Sequence, residues 1–197
     1  MVSATPVVTF YFDYLSPFAY LAETQVHRLD ATIDYRPIQT LDVMERVGNT
    51  PSFICKAKRR YQGRDAGRWA QRYGVRLARH PDYARIDGRR LLLGALAALQ
   101  VGAFSAYQAA IFAAVWANHD DLASDQGWHA ILEASGLDAS KIVGVAQSAE
   151  IADRLDRENA AAAEQGVFGV PTFIVDGEQY FGNDRLSFVE EHIERLR

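Results

Sequence analysis

Residues 7–22 read VVTFYFDYLSPFAYLA, and the fold turns on where that stretch breaks. Its first six residues form an apolar run rich in β-branched and aromatic side chains, the composition of a buried strand. Asp13 to Pro17 interrupts the run. Proline has no backbone donor, and the first turn of a helix is where a missing donor costs nothing, so Pro17 opens a helix and Ser16 falls at its N-cap. FAYLAETQVHRL, 18–29, continues with helical spacing of apolar residues, and IDYRPI, 33–38, reads as a second strand. A strand, a helix and a strand in so short a span predict a βαβ unit with parallel strands.

Outward from there, residues 40–160 show no strong strand pattern. Helices are predicted over roughly 54–73, 89–101, 104–118, 124–135 and 138–163, with Gly48, Asn49 and Pro51 in a turn before the first and Gly136 between the last two. Strand character resumes in GVFGVPTFIVDGEQYFG, 166–182, where TFIV and QYF are joined by Asp176-Gly177, a hairpin turn signal. NDRLSFVEEHIERL closes the chain as an amphipathic helix with Asn183 or Asp184 at its start. The order βαβ, helices, ββα is that of an α/β, thioredoxin-like fold with a large all-helical insertion. The expected division is residues 1–40 and 163–197 for the thioredoxin-like domain and 41–162 for the helical insertion domain.

The bulk composition fits that reading. A chain of 197 residues, 49% hydrophobic with a formal charge of -4, can bury a core without metal or disulfide staples. Its single cysteine, Cys55, permits neither an intrachain disulfide nor a dithiol redox pair. The N-terminal stretch MVSATPVVTFYFDY lacks the basic, apolar and cleavage regions of a leader, so the cytoplasm is the expected location. Residues 91–118 are uncharged but Ala-rich and interrupted by Gln100, Gly102, Ser105 and Gln108, which predicts buried helix rather than a membrane span. Charge is unevenly placed: residues 56–90 hold twelve Lys or Arg against three Asp, and the remainder is acidic. Arg60, Arg64, Arg68, Arg72 and Arg76 recur every four residues, giving a helix face that is positive until the chain turns near Gly74 and that is either solvated or steers an anionic substrate. Interleaved aromatics for nucleic-acid stacking are absent, no His/Cys/Asp cluster has metal-ligand spacing, and the first βα turn is not glycine-rich as a nicotinamide site requires.

Several residues could carry chemistry. Ser16, at a strand end and helix start, is either a structural N-cap or a hydroxyl donating to an anion held by the helix terminus. None of the five histidines is tied to it by motif, and the G-x-S-x-G elbow is missing, so Ser16 does not read as an activated nucleophile. Val170-Pro171 precedes a strand; in a thioredoxin-like domain this proline would be cis and leave the Val170 backbone free to pair with an extended peptide-like ligand. Asp184, in Gly182-Asn183-Asp184-Arg185, either caps the last helix or meets an amino-acid ammonium. Asn49 is a turn former whose amide could also bind a ligand edge, and Lys56 is a candidate carboxylate partner.

Three stretches together resemble the 2-hydroxychromene-2-carboxylate isomerases of the kappa-class glutathione transferase and DsbA-like group: FYFDYLSPFAYLA at 10–22, GNTP at 48–51 leading to RWAQRYG at 68–74, and GVFGVPTFIVDGEQYFGNDRLSFVEE at 166–191. The resemblance implies a glutathione-dependent isomerase that converts 2-hydroxychromene-2-carboxylate to trans-o-hydroxybenzylidenepyruvate by reversible thiolate addition, in naphthalene-type catabolism. It implies that Ser16 holds the glutathione sulfur as thiolate and that Asn49 lies beside cofactor and substrate. Val170, before Pro171, would pair with the cysteinyl backbone; Asn183, Asp184 and Arg185 would bind the γ-glutamyl end, and Lys56 a carboxylate. The implied partners are a small aromatic carboxylate and a second copy in a homodimer, with neither nucleic acid nor membrane. The sequence departs from the family in TLDVMERVGN at 40–49 and in HPDYARIDGRRL at 80–91, which puts Asp87, Arg85, Arg89 and Arg90 around the expected substrate side. A glutathione transferase, a redox protein and a peptide-binding module are the competing readings; Ser16 and Ala19 stand where a Cys-x-x-C pair would.

Overall fold

The computed structural model describes residues 5–197; the first four residues of the N-terminal stretch considered above as a leader lie outside it. Among the described residues four strands form one sheet: β1 (Val7–Phe12), β2 (Thr32–Pro37), β3 (Thr172–Val175) and β4 (Glu178–Phe181), in the order β2-β1-β3-β4. β1 is parallel to β2 and antiparallel to β3, which is antiparallel to β4. The helix α1 (Pro17–Val26) makes the crossover from β1 to β2. Between β2 and β3 come α2 (Thr40–Arg46), α3 (Lys56–Tyr73), α4 (Gly88–Gln100), α5 (Phe104–Ala113), α6 (Asp125–Ala134), α7 (Ala139–Ala146) and α8 (Ala149–Glu164), and α9 (Leu186–Arg195) follows the sheet. This is a thioredoxin-like α/β core interrupted by an extensive helical insertion.

β1 is paired on both sides, and its apolar run is buried accordingly: Val8, Phe10 and Phe12 are wholly inaccessible. Register aligns Tyr35, Phe10, Phe173 and Tyr180 across the four strands, and the Phe10 and Phe173 rings stack at 4.8 Å. Phe12 meets Phe104 and Phe112 of α5, so the insertion covers the sheet that starts the chain; each such ring contributes about 1.5–3 kcal/mol by leaving water. The hairpin between β3 and β4 turns at Asp176 (φ 47°) and Gly177 (φ 80°), the two left-handed residues of a type I′ turn.

An ion pair and a hydrogen bond fasten α8 to β2 and the residues that follow it. Arg36 on β2 pairs with Glu158 of α8 at 3.2 Å, and Gln39 N–H donates to Asn159 Oδ1 at 2.9 Å. The uncharged segment forms the two helices α4 and α5, separated at Gly102 (φ 73°). Gly94 admits their close approach, since a Cβ there would lie 2.1 Å from the Tyr107 hydroxyl. Among the described residues no helix is long and apolar enough to cross a membrane.

Four boundaries differ from the sequence expectation. α2 was not anticipated because seven residues give too few turns for a periodic signal. The helix expected over 138–163 is two, divided where Ser148 accepts the Ile151 N–H at 3.3 Å and starts α8. The helix expected to 118 ends at Ala113 and runs on as a π turn over Ala114–Asn118. Neither Asn183 nor Asp184 caps the last helix through its side chain; a 3₁₀ turn over Asn183–Arg185 precedes α9.

Candidate active site

Register decides which loops meet. Tyr11 lies opposite Thr172, so the C-terminal end of β1 and the start of β3 share one end of the sheet. The turn Asp13–Ser16 and the cis Val170–Pro171 bond therefore emerge side by side. The 3₁₀ turn at Asn183–Arg185 packs on α1, completing a ring of loops around the α1 N-terminus.

Ser16 is the N-cap of α1, with extended backbone angles and Oγ accepting the Ala19 N–H at 3.2 Å. Capping and anion binding are compatible here, because capping uses a lone pair of the hydroxyl and leaves its hydrogen free to donate. Phe18 N–H takes no partner among the described residues, as expected in a first turn whose proline supplies none. Hydroxyl hydrogen, amide and helix dipole together favour an anion. Beneath them Asp13 accepts from Leu15 N–H at 2.9 Å and Thr40 N–H at 3.1 Å; burial raises its carboxyl pKa, and these two bonds offset part of the rise.

On the facing loop, neither the N–H nor the C=O of Val170 has a backbone partner among the described residues. The loop is fixed on both sides of that free unit: Thr172 Oγ1 donates to Gly169 O at 2.7 Å, and Gly182 N–H to Pro171 O at 2.9 Å. Asn49 reaches this loop with its amide, Nδ2 donating to Phe168 O at 2.7 Å. Its side chain thus serves the cis-proline loop first, with Oδ1 left for a ligand.

The three residues of the 183–185 turn separate in role. Asn183 is 3% exposed, and its Nδ2 donates to the Tyr73 hydroxyl at 3.2 Å while that hydroxyl donates to Asn183 O at 3.1 Å. Its side chain is spent tying the turn to α3, so it holds the site's frame. Asp184 is exposed and pairs with Arg185 at 3.5 Å. Gly182 beside it sits at φ 112°, a backbone conformation that L side chains rarely adopt, so glycine is favoured there. Lys56 opens α3 on the surface, and among the described residues no hydrogen bond or ion pair links it to the other candidates.

Sequence reasoning missed Trp116 and Tyr83 among the residues that brace these loops. Trp116 Nε1 donates to Tyr14 O at 2.8 Å and the Tyr83 hydroxyl to Leu15 O at 2.5 Å; with Asn49 on Phe168 O and Tyr73 on Asn183 O, four donors between β2 and β3 in the chain grip the carbonyls of all three site loops. Only residue type gave any signal, buried Tyr and Trp needing a partner for their polar end. Burial pushes the Tyr83 hydroxyl up to about 12, with Asp13 adding and Arg79 opposing, so it remains a donor at neutral pH.

The arginines expected on the substrate side are largely engaged elsewhere. Arg89 bonds Asp156, and also Gln39; Arg90 bonds Asp125 and Leu122 O; Arg85 pairs with Asp82. Arg89 and Arg90, with the α4 cap Asp87, line a groove of about 670 Å³ between α4, α6, α7 and α8 that includes none of Ser16, Asn49, Lys56, the Val170-Pro171 loop and the 183–185 turn. Arg60, Arg64 and Arg68 form the anticipated positive face, exposed along α3. A buried polar chain runs under α1: Tyr14 Oη donates to Gln108 Oε1 at 2.6 Å, and Gln108 Nε2 and Tyr35 Oη each reach Glu23 at 3.4 Å. Burial raises the Glu23 carboxyl to about 7 against those two hydrogen bonds.

Comparison with known proteins extends over nearly the whole chain. The family described as DSBA-like thioredoxin domain matches residues 7–194. A 2-hydroxychromene-2-carboxylate isomerase of Pseudomonas putida is 36% identical, the alignment covering 96% of this chain and 95% of that protein. A solved structure of an isomerase with that name superposes with a TM-score of 0.85 at 33% identity, covering 96% and 95% of the two chains. A probable DsbA oxidoreductase from Streptomyces coelicolor superposes at 0.74 with 16% identity over 97% and 89% of the chains, a likeness of fold alone.

Proposed function

Since the chain belongs to the 2-hydroxychromene-2-carboxylate isomerase family of DSBA-like thioredoxin-domain enzymes, we propose that it is a glutathione-dependent isomerase of a small aromatic carboxylate, with 2-hydroxychromene-2-carboxylate as the first substrate to try. The observation that carries this reading is Ser16 at the N-terminus of α1, beside a cis-proline loop, with the Ser16 hydroxyl hydrogen and the Val170 backbone both without a partner among the described residues.

The residues fit glutathione. The unpaired N–H and C=O of Val170 suit the cysteinyl backbone of a tripeptide, the exposed carboxylate of Asp184 suits its ammonium, and Ser16 with the Phe18 N–H suits its sulfur. When bound, glutathione supplies a thiolate that adds reversibly to a conjugated carbon of the substrate and leaves unchanged. Ser16 lowers the cost of that thiolate by donating to it at a helix terminus, where the dipole adds to the effect. Asn49 steadies the Val170 loop and offers Oδ1 to a ligand donor. The cationic face of α3 draws a carboxylate substrate toward this end of the molecule. Chemistry that returns its thiol needs no redox partner, in keeping with Ser16 and Ala19 at the Cys-x-x-C spacing.

The test is conversion of 2-hydroxychromene-2-carboxylate with and without glutathione, following product absorbance and total free thiol together. Turnover that requires glutathione at constant thiol is the expected result. Loss of thiol with an adduct would replace isomerase by transferase, and absence of glutathione binding would remove the reading altogether.

A further inference from the structure

In the β1–α1 turn, Ser16 N–H bonds back to Asp13 O and Tyr20 N–H to Ser16 O, each at 3.1 Å. The two intervening carbonyls, of Tyr14 and Leu15, receive no backbone N–H among the described residues. Both are taken by side chains from far along the chain: Trp116 Nε1–H bonds Tyr14 O at 2.8 Å, and the Tyr83 hydroxyl bonds Leu15 O at 2.5 Å. The two rings lie 5.6 Å apart, and Trp116 is 4% exposed. Each donor sits on irregular helix. Trp116 belongs to the π turn that ends α5, held by Ala78 N–H on Trp116 O at 2.8 Å, and Tyr83 opens a 3₁₀ turn under the Arg79 guanidinium. A π turn adds a residue to the helical ladder and re-aims the side chains it carries, a device concentrated at functional sites.

We infer that Tyr83 and Trp116 are positioning residues of the Ser16 turn, fixing the two carbonyls before Ser16 so that its hydroxyl and the Phe18 N–H converge on one point. They act through the backbone. A carbonyl left without its donor turns to find another, and the peptide plane that turns with Leu15 O carries Ser16 N on its other side. Misplacement of a charge-stabilising donor by an ångström is costly because its interaction depends steeply on distance and angle. The inference rests on the proposed glutathione reading for its ligand, while the fixation of the turn belongs to the free protein.

Tyr83→Phe keeps the ring and removes only the hydroxyl, and Trp116→Phe supplies an independent second variant. The thiolate absorbance of bound glutathione is titrated for both, for Ser16→Ala and for the unaltered protein, alongside calorimetric binding of S-methylglutathione, which has no thiol. Tyr83→Phe is expected to raise the bound-thiol pKa by about one unit, a tenfold loss of thiolate below that pKa, with S-methylglutathione affinity held within about twofold. Amide hydrogen exchange in the free protein reads the turn without ligand: the Ser16 amide, bonded to Asp13 O, should exchange faster in Tyr83→Phe while the melting temperature stays near that of the unaltered protein. A thiol titration that moves in Ser16→Ala but in neither aromatic variant, or unchanged exchange at the turn, would overturn the inference. Failure of the unaltered protein to bind glutathione would instead overturn the cofactor reading, and the positioning role toward it.

Discussion

Helices α1 and α3 pack together, and each begins with a residue that a thiol-handling protein could use, yet they are built oppositely. α1 buries five of its ten residues, whereas α3 buries only Ala66 and Ala70 of eighteen. Ser16 caps α1 through a hydrogen bond, and side chains remote in sequence grip the carbonyls before it. Cys55 stands at the corresponding position of α3, exposed and without a side-chain capping bond, its thiol pKa lowered by the N–H groups of Lys58 and Ala57. Both termini offer amides and a dipole to an anion. Only the first has a free strand-like backbone opposite and fixed walls around it, so the site is a property of the surroundings of a helix end.

The largest effect that could break this contrast is at Ser16. Ser16→Ala should lower kcat/KM by about 10²–10³, the usual consequence of deleting one donor to a developing anion, while costing about 1 kcal/mol of stability as a lost cap; steady-state kinetics beside urea denaturation separates the two. A loss below about tenfold would make the two termini alike. Next is the buried flank of α1. Burial raises the Glu23 carboxyl from its ordinary 4.5 to about 7, so the folded state holds its proton more tightly and stability falls as pH rises between those values. Glu23→Gln removes the penalty, worth up to about 3 kcal/mol above pH 7 and nearly nothing below pH 4.5; denaturation midpoints at pH 4.5 and pH 8 check it. The smallest effects belong to α3, where Arg60→Gln, Arg64→Gln and Cys55→Ser should each change stability by less than about 0.5 kcal/mol, and Cys55→Ser should leave turnover intact. A large loss in Cys55→Ser would move the thiol chemistry to the wrong helix.

Much of the frame was legible. β1, the break at Asp13 to Pro17, the Asp176-Gly177 hairpin and the two helices of the uncharged segment each announce themselves within a few residues, because strand apolarity, a missing proline donor and a left-handed glycine are local constraints. The short α2 and the division before α8 escaped because an apolar period cannot resolve seven residues or a cap inside a continuing pattern. At the site, Ser16 and Val170-Pro171 stand together as read, but Asn183 turns inward to Tyr73, and Arg89 and Arg90 line a separate groove. Residue type tells that an amide or a guanidinium needs partners; which partner it finds depends on packing.

The sequence by itself determined the order of elements, the serine at the first helix terminus and the proline before β3, since each follows from the conformational preferences of a few neighbouring residues. The tertiary structure alone decided that a tryptophan 102 residues away holds Tyr14 O and that Tyr73 holds a turn 110 residues away. It also raised the Glu23 carboxyl to about 7. Hydrogen bonds across such distances and the loss of solvent around a charge arise only when the chain is packed, and no local pattern encodes them.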